Sequence, residues 1–294
     1  MKAVSTPAQR AVAGASSVTL SFQGIDADGE AADPGTVTVT VTGSDGTSIV
    51  ADAATTGSST SPRTYSLTDG LTSVDELTAV WNDGTNDIAT TTIHVVGGVY
   101  LTVEEIRLYE PSLSSYTKPQ LIAARQEAEN MVEEMCNRAF VHRPAVEWAS
   151  GNGRRTLPVT WPNVQSVKWG RLYSSGSSYT SLTAAQLAAI KDSRGPNLTF
   201  LDGSYWDSGQ DNIHVCYVHG HRRPPTDIKR AVAAIIQRQL TAANRSLADN
   251  ATQYFPAEGG SVMLAQPGMR GAMTGIPWVD EILKRYRYRT VGVY

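Results

Sequence analysis

The chain has 294 residues, 41% of them hydrophobic and 18% charged, with a formal net charge of −3, which is the make-up of a globular protein with room for two cores. No apolar run reaches the roughly 18 residues of a membrane span, and the opening Met1–Arg10 has no apolar stretch of signal-peptide type, so neither membrane insertion nor secretion is expected. The two cysteines, Cys136 and Cys216, lack Cys-x-x-Cys spacing and read as buried thiols of a reducing compartment, not as a disulfide framework.

The charge is unevenly spread. Residues 1–98 hold three Lys/Arg against eleven Asp/Glu, a balance of −8, whereas residues 99–294 hold twenty-two against seventeen, a balance of +5. Two pieces of opposite sign and different composition predict two domains. The basic excess is too small and dispersed to predict tight nucleic-acid binding by itself.

Residues 11–97 predict an all-β domain. Val18–Phe22, Thr36–Thr42, Leu77–Trp81 and Thr92–Val96 alternate with period two, and Asp-Gly turns recur at 28–29, 45–46, 69–70 and 83–84. This spacing predicts a sandwich of immunoglobulin-like type, with Val18, Leu20, Phe22, Val39, Val41 and Trp81 on the core face. Gly97-Gly98 is the expected hinge, giving a domain over 1–97.

The pattern then turns helical. Thr102-Val-Glu-Glu105 and Thr117-Lys-Pro-Gln120 read as capping boxes. A long helix to about Ala139 follows, with Leu121, Ala124, Ala128, Met131, Val132 and Met135 on one face and Arg125, Glu127, Glu133 and Glu134 on the other. Residues 143–219 read mostly as strand, with a hairpin signal at Ser150-Gly-Asn-Gly153, a strand over Val164–Tyr173, a short helix begun by Thr183-Ala-Ala-Gln186 and a strand over Ile213–His219. Pro224-Pro-Thr226 starts a second long helix, with Ile228, Ala231, Val232, Ile235, Ile236 and Leu240 on its apolar side. Residues 99–245 are thus expected to form a mainly helical domain with a small β element. Residues 246–275, rich in glycine, read as a tether.

At the far end, Pro277 suits a first helical turn. Asp280 and Glu281 precede Lys284 and Arg285, the order the helix dipole favours. Trp278, Val279, Ile282 and Leu283 form an apolar stripe. From Tyr286 the period changes to two, with Tyr286, Tyr288 and Thr290 alternating with Arg287, Arg289 and Val291. Such a tail reads either as an edge strand of its own sheet or as an arm that adds to a neighbour's. Residues 246–294 are therefore taken as tether, short helix and docking tail.

Catalytic and metal patterns are weak. His214, Cys216, His219 and His221 fall on both faces of one strand and so do not converge as zinc ligands would. The run Asp26-Ala-Asp-Gly-Glu30 lacks the bidentate Glu of a calcium loop. No nucleophile elbow, zinc-protease or phosphate-loop motif is present. No enzyme, no metal and no cofactor is expected. Arg222, Arg223, Arg230 and Arg238 read as a solvated basic helix face or as sequence-independent contacts to passing DNA.

Four stretches in this order, Tyr100-Leu-Thr-Val-Glu-Glu-Ile-Arg107, Cys136-Asn-Arg-Ala-Phe140, Val215–Gly220 with Pro224–Ala231, and Thr274–Tyr286, resemble head-to-tail connector (adaptor, or head-completion) proteins of long-tailed phages. The form resembled is that of actinobacteriophages, where an immunoglobulin-like domain can stand in front. Asn137 occupies a place where many relatives have glycine, a swap the left-handed conformation tolerates. The resemblance implies a dodecameric ring in the virion neck, assembled in the host cytoplasm. The ring would bind the portal protein above and the next neck or tail-completion protein below, with packaged DNA passing through. It implies that Trp278, Ile282, Tyr286, Arg287, Tyr288, Arg289 and Tyr294 dock the arm on the portal or a neighbouring subunit. On this reading the chain stays folded without residues 277–294. The other reading is a glycan- or surface-binding attachment module built on the acidic sandwich.

Overall fold

A computed structural model describes residues 9–25, 28, 30–33, 35–57, 62–175, 177–191, 195–241, 253–254, 262–263 and 274–288. The chain opens with β1 (Gln9–Val12), β2 (Val18–Phe22), β3 (Thr38–Thr42), β4 (Ser48–Ala54), β5 (Arg63–Leu67), β6 (Asp75–Asn82) and β7 (Asp87–Val96). Helices α1 (Val103–Tyr109) and α2 (Lys118–Cys136) follow, joined through a single 3-10 turn at Pro111–Leu113. The next strands are β8 (Arg143–Gly151), β9 (Thr156–Pro158), β10 (Val164–Ser175) and β11 (Ser178–Ser181). After the short helix α3 (Ala184–Ala188) come β12 (Ile190–Lys191), β13 (Asn197–Phe200) and β14 (Gly209–His219). Helix α4 (Thr226–Thr241), the two-residue strands β15 (Gln253–Tyr254) and β16 (Val262–Met263), and helix α5 (Pro277–Tyr286) complete the order.

These elements fall into two compact units that cut across chain order: Met1–Gly98 with Val141–Gly220, and Val99–Phe140 with His221–Tyr294. In the first unit, β1–β7 build a sandwich of a five-stranded sheet, ordered β1-β7-β6-β3-β4, and a two-stranded sheet, β2-β5. Alternation drives it: along β3 the two valines are buried and the three threonines half-buried, as a strand with one wet face requires. Leu20, Phe22, Val39, Val41 and Trp81 join one core, with Val18 packed on its margin, as the period-two pattern predicts. Phe22 stacks on Trp81 at 5.8 Å, and the Trp81 indole N–H donates to Thr91 Oγ1 at 3.0 Å. That bond satisfies the one polar atom of a fully buried indole.

The rest of this unit corrects two expectations. The helices expected in residues 99–245 are present, but the β part is not small: residues 143–219 hold β8–β14, in a four-stranded sheet β11-β10-β14-β8 and a three-stranded sheet β12-β13-β9. They have their own core, with Leu157, Leu198, Phe200, Trp206, Ile213, Val215 and Tyr217 buried. The turn at Ser150–Gly153 does not make a hairpin. Strand β8 pairs with β14, from Arg143 opposite His219 to Gly151 opposite Gly209, and β9 pairs with β13. The Asn152 side chain folds the loop back on itself, donating to Thr156 O and accepting from the Arg154 N–H, and the chain leaves one sheet for the other. The sandwich is fastened to the four-stranded sheet by Lys168, which pairs with Asp75 at 2.9 Å and donates to Val74 O. Beside it the Trp169 indole N–H donates to Ser44 Oγ at 2.9 Å.

The second unit is helical. Thr102 Oγ1 accepts from the Glu105 N–H while Glu105 Oε2 accepts from the Thr102 N–H, the reciprocal cap its spacing predicts. Gln120 Oε1 likewise takes both the N–H and the hydroxyl of Thr117. Helix α2 ends on Asn137 at φ 50°, ψ 39°, the left-handed conformation that asparagine adopts more readily than other non-glycine residues.

Candidate functional site

The sequence places the candidate docking residues on the last helix and the tail after it, and the structure shows how α5 is held. Among the described residues it does not stand away from the helical unit. Val279 and Leu283, four apart on one face, are fully buried against the helices α2 and α4. Trp278 is 46% exposed and Ile282 half-buried, so the expected apolar stripe divides into an inner pair and an outer pair.

The start of α5 is locked by residues that precede it. Asp280 is 3% exposed, and its Oδ1 accepts from both the N–H and the hydroxyl of Thr274, at 2.7 and 2.8 Å. Thr274 Oγ1 in turn accepts from the Ile276 N–H. Between them Gly275 sits at φ 73°, where a side chain would be strained. The carbonyl of Gly275 accepts from Arg238 Nη1 at 2.9 Å. Arg238, one of the four arginines considered for DNA, is thus half-buried and holds the start of α5, while Arg222, Arg223 and Arg230 are exposed.

The end of α5 is held too. Tyr286 belongs to the helix rather than to a strand, because its ring packs edge-on against Phe140 at 5.7 Å. The Tyr288 N–H donates to Cys136 O at 2.7 Å, and the Arg138 guanidinium lies over the Tyr288 ring at 5.5 Å. Arg287 is exposed. Arg289 and Tyr294 lie outside the described residues, as do Asp26 of the acidic turn and most of the expected tether. From 246 to 273 the described residues are the β15–β16 pair, Gln253 opposite Met263 and Tyr254 opposite Val262.

Phe140 is the node of the unit. It meets Tyr100 edge-on at 5.9 Å, His221 stacked at 5.9 Å, and Tyr286. Its N–H donates to the Tyr100 hydroxyl at 2.8 Å, and that hydroxyl donates to Glu133 Oε1 at 2.8 Å. Glu129, which periodicity did not place inside, is 1% exposed. It accepts from the Tyr100 N–H at 2.8 Å, and Arg125 lies 3.8 Å away. A buried carboxylate is tolerable only with such partners. Lys229 of α4 pairs with Glu105 of α1 at 2.6 Å, and Tyr116 donates to Leu240 O at 2.8 Å.

The nucleophile candidates are muted. Burial pushes the thiols of Cys136 and Cys216 up to about 12, so both stay protonated near neutral pH. Cys136 Sγ contacts Leu283 O and Cys216 Sγ contacts Ser44 Oγ. Of the four residues considered for metal, the three histidines are each taken up by a different ring, His214 stacking on Trp148, His219 on Trp161 and His221 on Phe140, while Cys216 lies against Ser44. Among the described residues no group of three or more His, Cys, Asp or Glu could hold a metal ion, and no helix is long and apolar enough to cross a membrane.

No family model matches the chain, and no curated protein matches it. Solved structures do resemble it. A chain from the neck of an empty GTA particle computed with C6 symmetry is 15% identical, with a TM-score of 0.45 over 66% of this chain and 93% of that one. A chain from the neck of the native GTA particle computed with C12 symmetry is 12% identical, with a TM-score of 0.43 over 68% and 98%. A chain from the virion of the native gene transfer agent particle is 15% identical, with a TM-score of 0.42 over 66% and 93%.

Proposed function

We propose that this chain is a structural protein of a virion neck, a head-to-tail connector of adaptor type. It assembles with copies of itself as a dodecameric ring on the portal protein, extends the DNA channel, and presents its far side to the next neck or tail-completion protein. The role is architectural, not catalytic. One observation carries the reading: parts of all four stretches that resemble connector proteins, far apart along the chain, meet in the helical unit, while Val215–Gly220 of the third belongs to the first unit. Tyr100 from the first, Phe140 from the second and Tyr286 from the last touch one another in series. Asp227 and Lys229 from the third pair with Arg285 at 3.5 Å and Glu105 at 2.6 Å. A pattern whose members converge on one structural element is better support than four separate likenesses.

On this reading the described part of α5 is a platform and the residues after Tyr288 are the arm, so the arm is shorter than the sequence suggests. Trp278 and Arg287, exposed on the platform, are suited to the partner side, since Trp and Arg are common anchors of interfaces. Arg222, Arg223 and Arg230 are exposed and available to phosphate backbone, without sequence preference. The attachment-module reading has less support: in the sandwich Phe22 and Trp81 are buried and Tyr65 packs against the core, leaving few aromatic faces for a ligand.

The test is electron microscopy of the full chain mixed with its cognate portal, alongside a chain ending at Tyr288 and a Trp278→Ala variant. A ring stacked on the portal by the full chain, and weakened in the shortened chain, is the expected result. A full chain that neither rings nor stacks on the portal overturns the proposal.

A further inference from the structure

The four-stranded sheet of the first unit carries a closed circuit of side chains on one face. Trp148 on β8 stands opposite His214 on β14, and His214 opposite Arg171 on β10. Trp148 and His214 stack at 4.3 Å with planes 3° apart. His214 meets Trp169 edge-on at 4.9 Å. Arg171 lies over Trp169 at 4.8 Å and over Tyr179 at 5.0 Å. Tyr179 meets Tyr173 at 5.3 Å, and Tyr173 meets Trp148 at 4.9 Å. The ring of contacts thus closes across four strands. The end nearest the sandwich is fastened by Trp169 to Ser44 and by Arg171 to Asp45 O. The other end is open, with Trp148 50% and Tyr179 48% exposed.

Half-exposed aromatic rings held in one arrangement by cross-strand partners are a preorganised surface, and their chemistry narrows what it fits. The six side chains present π faces, whose quadrupole attracts positively polarised C–H bonds, together with the polar edges of Trp148, Tyr173 and Tyr179 and a single guanidinium. None of the six is aliphatic. A polyanion is disfavoured, because residues 1–98 of the same unit carry a balance of −8 and Arg171 already donates to Asp45 O. A pyranose ring meets these conditions: ring oxygens polarise its axial C–H bonds toward π faces, and its equatorial hydroxyls give and take hydrogen bonds at the edges.

We propose that this face binds a saccharide, with one sugar ring laid against Trp148 and the next against Tyr179. The site is independent of the connector role, and it lies outside the sandwich where sequence reasoning sought a glycan surface. The experiment presents the full-length chain to an array carrying chitohexaose, maltohexaose and a rhamnose–galactose oligosaccharide, with oligothymidylate as the nucleic-acid comparison. Trp148→Ala, Trp148→Phe and a Trp148→Ala/Tyr179→Ala double variant are run beside it, each checked for native circular dichroism. Retention of at least one saccharide, weakened about tenfold by Trp148→Ala and largely restored in Trp148→Phe, is the expected outcome. The proposal is overturned if the full-length chain retains none of the three, if the double variant binds as well as the parent, or if oligothymidylate is bound in their place through the same residues.

Discussion

Asp280 holds Thr274 by two hydrogen bonds to one carboxylate oxygen, from the backbone N–H at 2.7 Å and the hydroxyl at 2.8 Å, in a setting where Asp280 is 3% exposed. The pair holds the residues Thr274–Ile276 that lead into α5. Replacing Asp280 by alanine strands two buried donors and should cost about 2 kcal/mol of stability. Asp280→Asn keeps an acceptor and should cost clearly less. Urea unfolding of the two variants checks the order; equal losses would mean that the carboxylate's hydrogen bonds are not what matters.

Helix α5 is part of its unit's core. Leu283 and Val279 are fully buried, so Leu283→Ala should destabilise by about 3 kcal/mol. Removing residues 277–294 should leave an unfolded or aggregating second unit, contrary to the expectation drawn from sequence. Ending the chain at Tyr288 should leave the melting temperature nearly unchanged. Differential scanning calorimetry of the three chains decides it, and a stable chain lacking 277–294 would show that α5 is only loosely applied.

What sequence made legible was local. Thr102 and Glu105 are three residues apart, and their reciprocal cap needs nothing from elsewhere. Asn137 carries its left-handed tolerance within itself. The valines of β3 and the Leu20–Phe22 pair of β2 declare their buried face by alternation. What was not legible depends on distant partners. Glu129 has no local sign of burial, because the N–H it accepts comes from Tyr100, 29 positions earlier. The turn at Ser150–Gly153 reads as a hairpin because nothing nearby reveals that β8 pairs with β14 some sixty residues on. Tyr286 begins a period-two pattern yet remains helical, because Phe140 takes its ring. The aromatic circuit of Trp148, Tyr173, Tyr179 and His214 is spread over four strands and has no signature along the chain.

Both cysteines should be inert until the protein unfolds. Their thiols are buried and pushed up to about 12, so thiolate is scarce as well as inaccessible. Ellman's reagent should titrate no thiol in native buffer near neutral pH and two in guanidinium chloride. Fast reaction of one thiol without denaturant would mean that its surroundings open readily, and Cys136→Ser would show which.

Acid should weaken the first unit before its carboxylates titrate. His219 is 3% exposed and stacked on Trp161 at 5.0 Å. Burial, followed by the positive charges of Arg143 and His142, pulls its pKa down to about 3, and His214 is shifted in the same direction by burial and by Arg171. Above the ordinary histidine value both folded and unfolded chains keep this ring neutral, and no stability is lost. Below it the unfolded chain takes up a proton that the folded chain refuses, so stability drops as pH falls, until the folded value is reached. The slope for one such group is about 1.4 kcal/mol per pH unit, or about 2 kcal/mol between pH 6.5 and 5. Unfolding midpoints in urea measured from pH 7.5 to 5 should fall steadily below pH 6.5, and His219→Phe, which keeps a ring against Trp161, should flatten most of that fall. A parent chain with a level profile, or a variant with the parent's slope, would remove His219 as the cause.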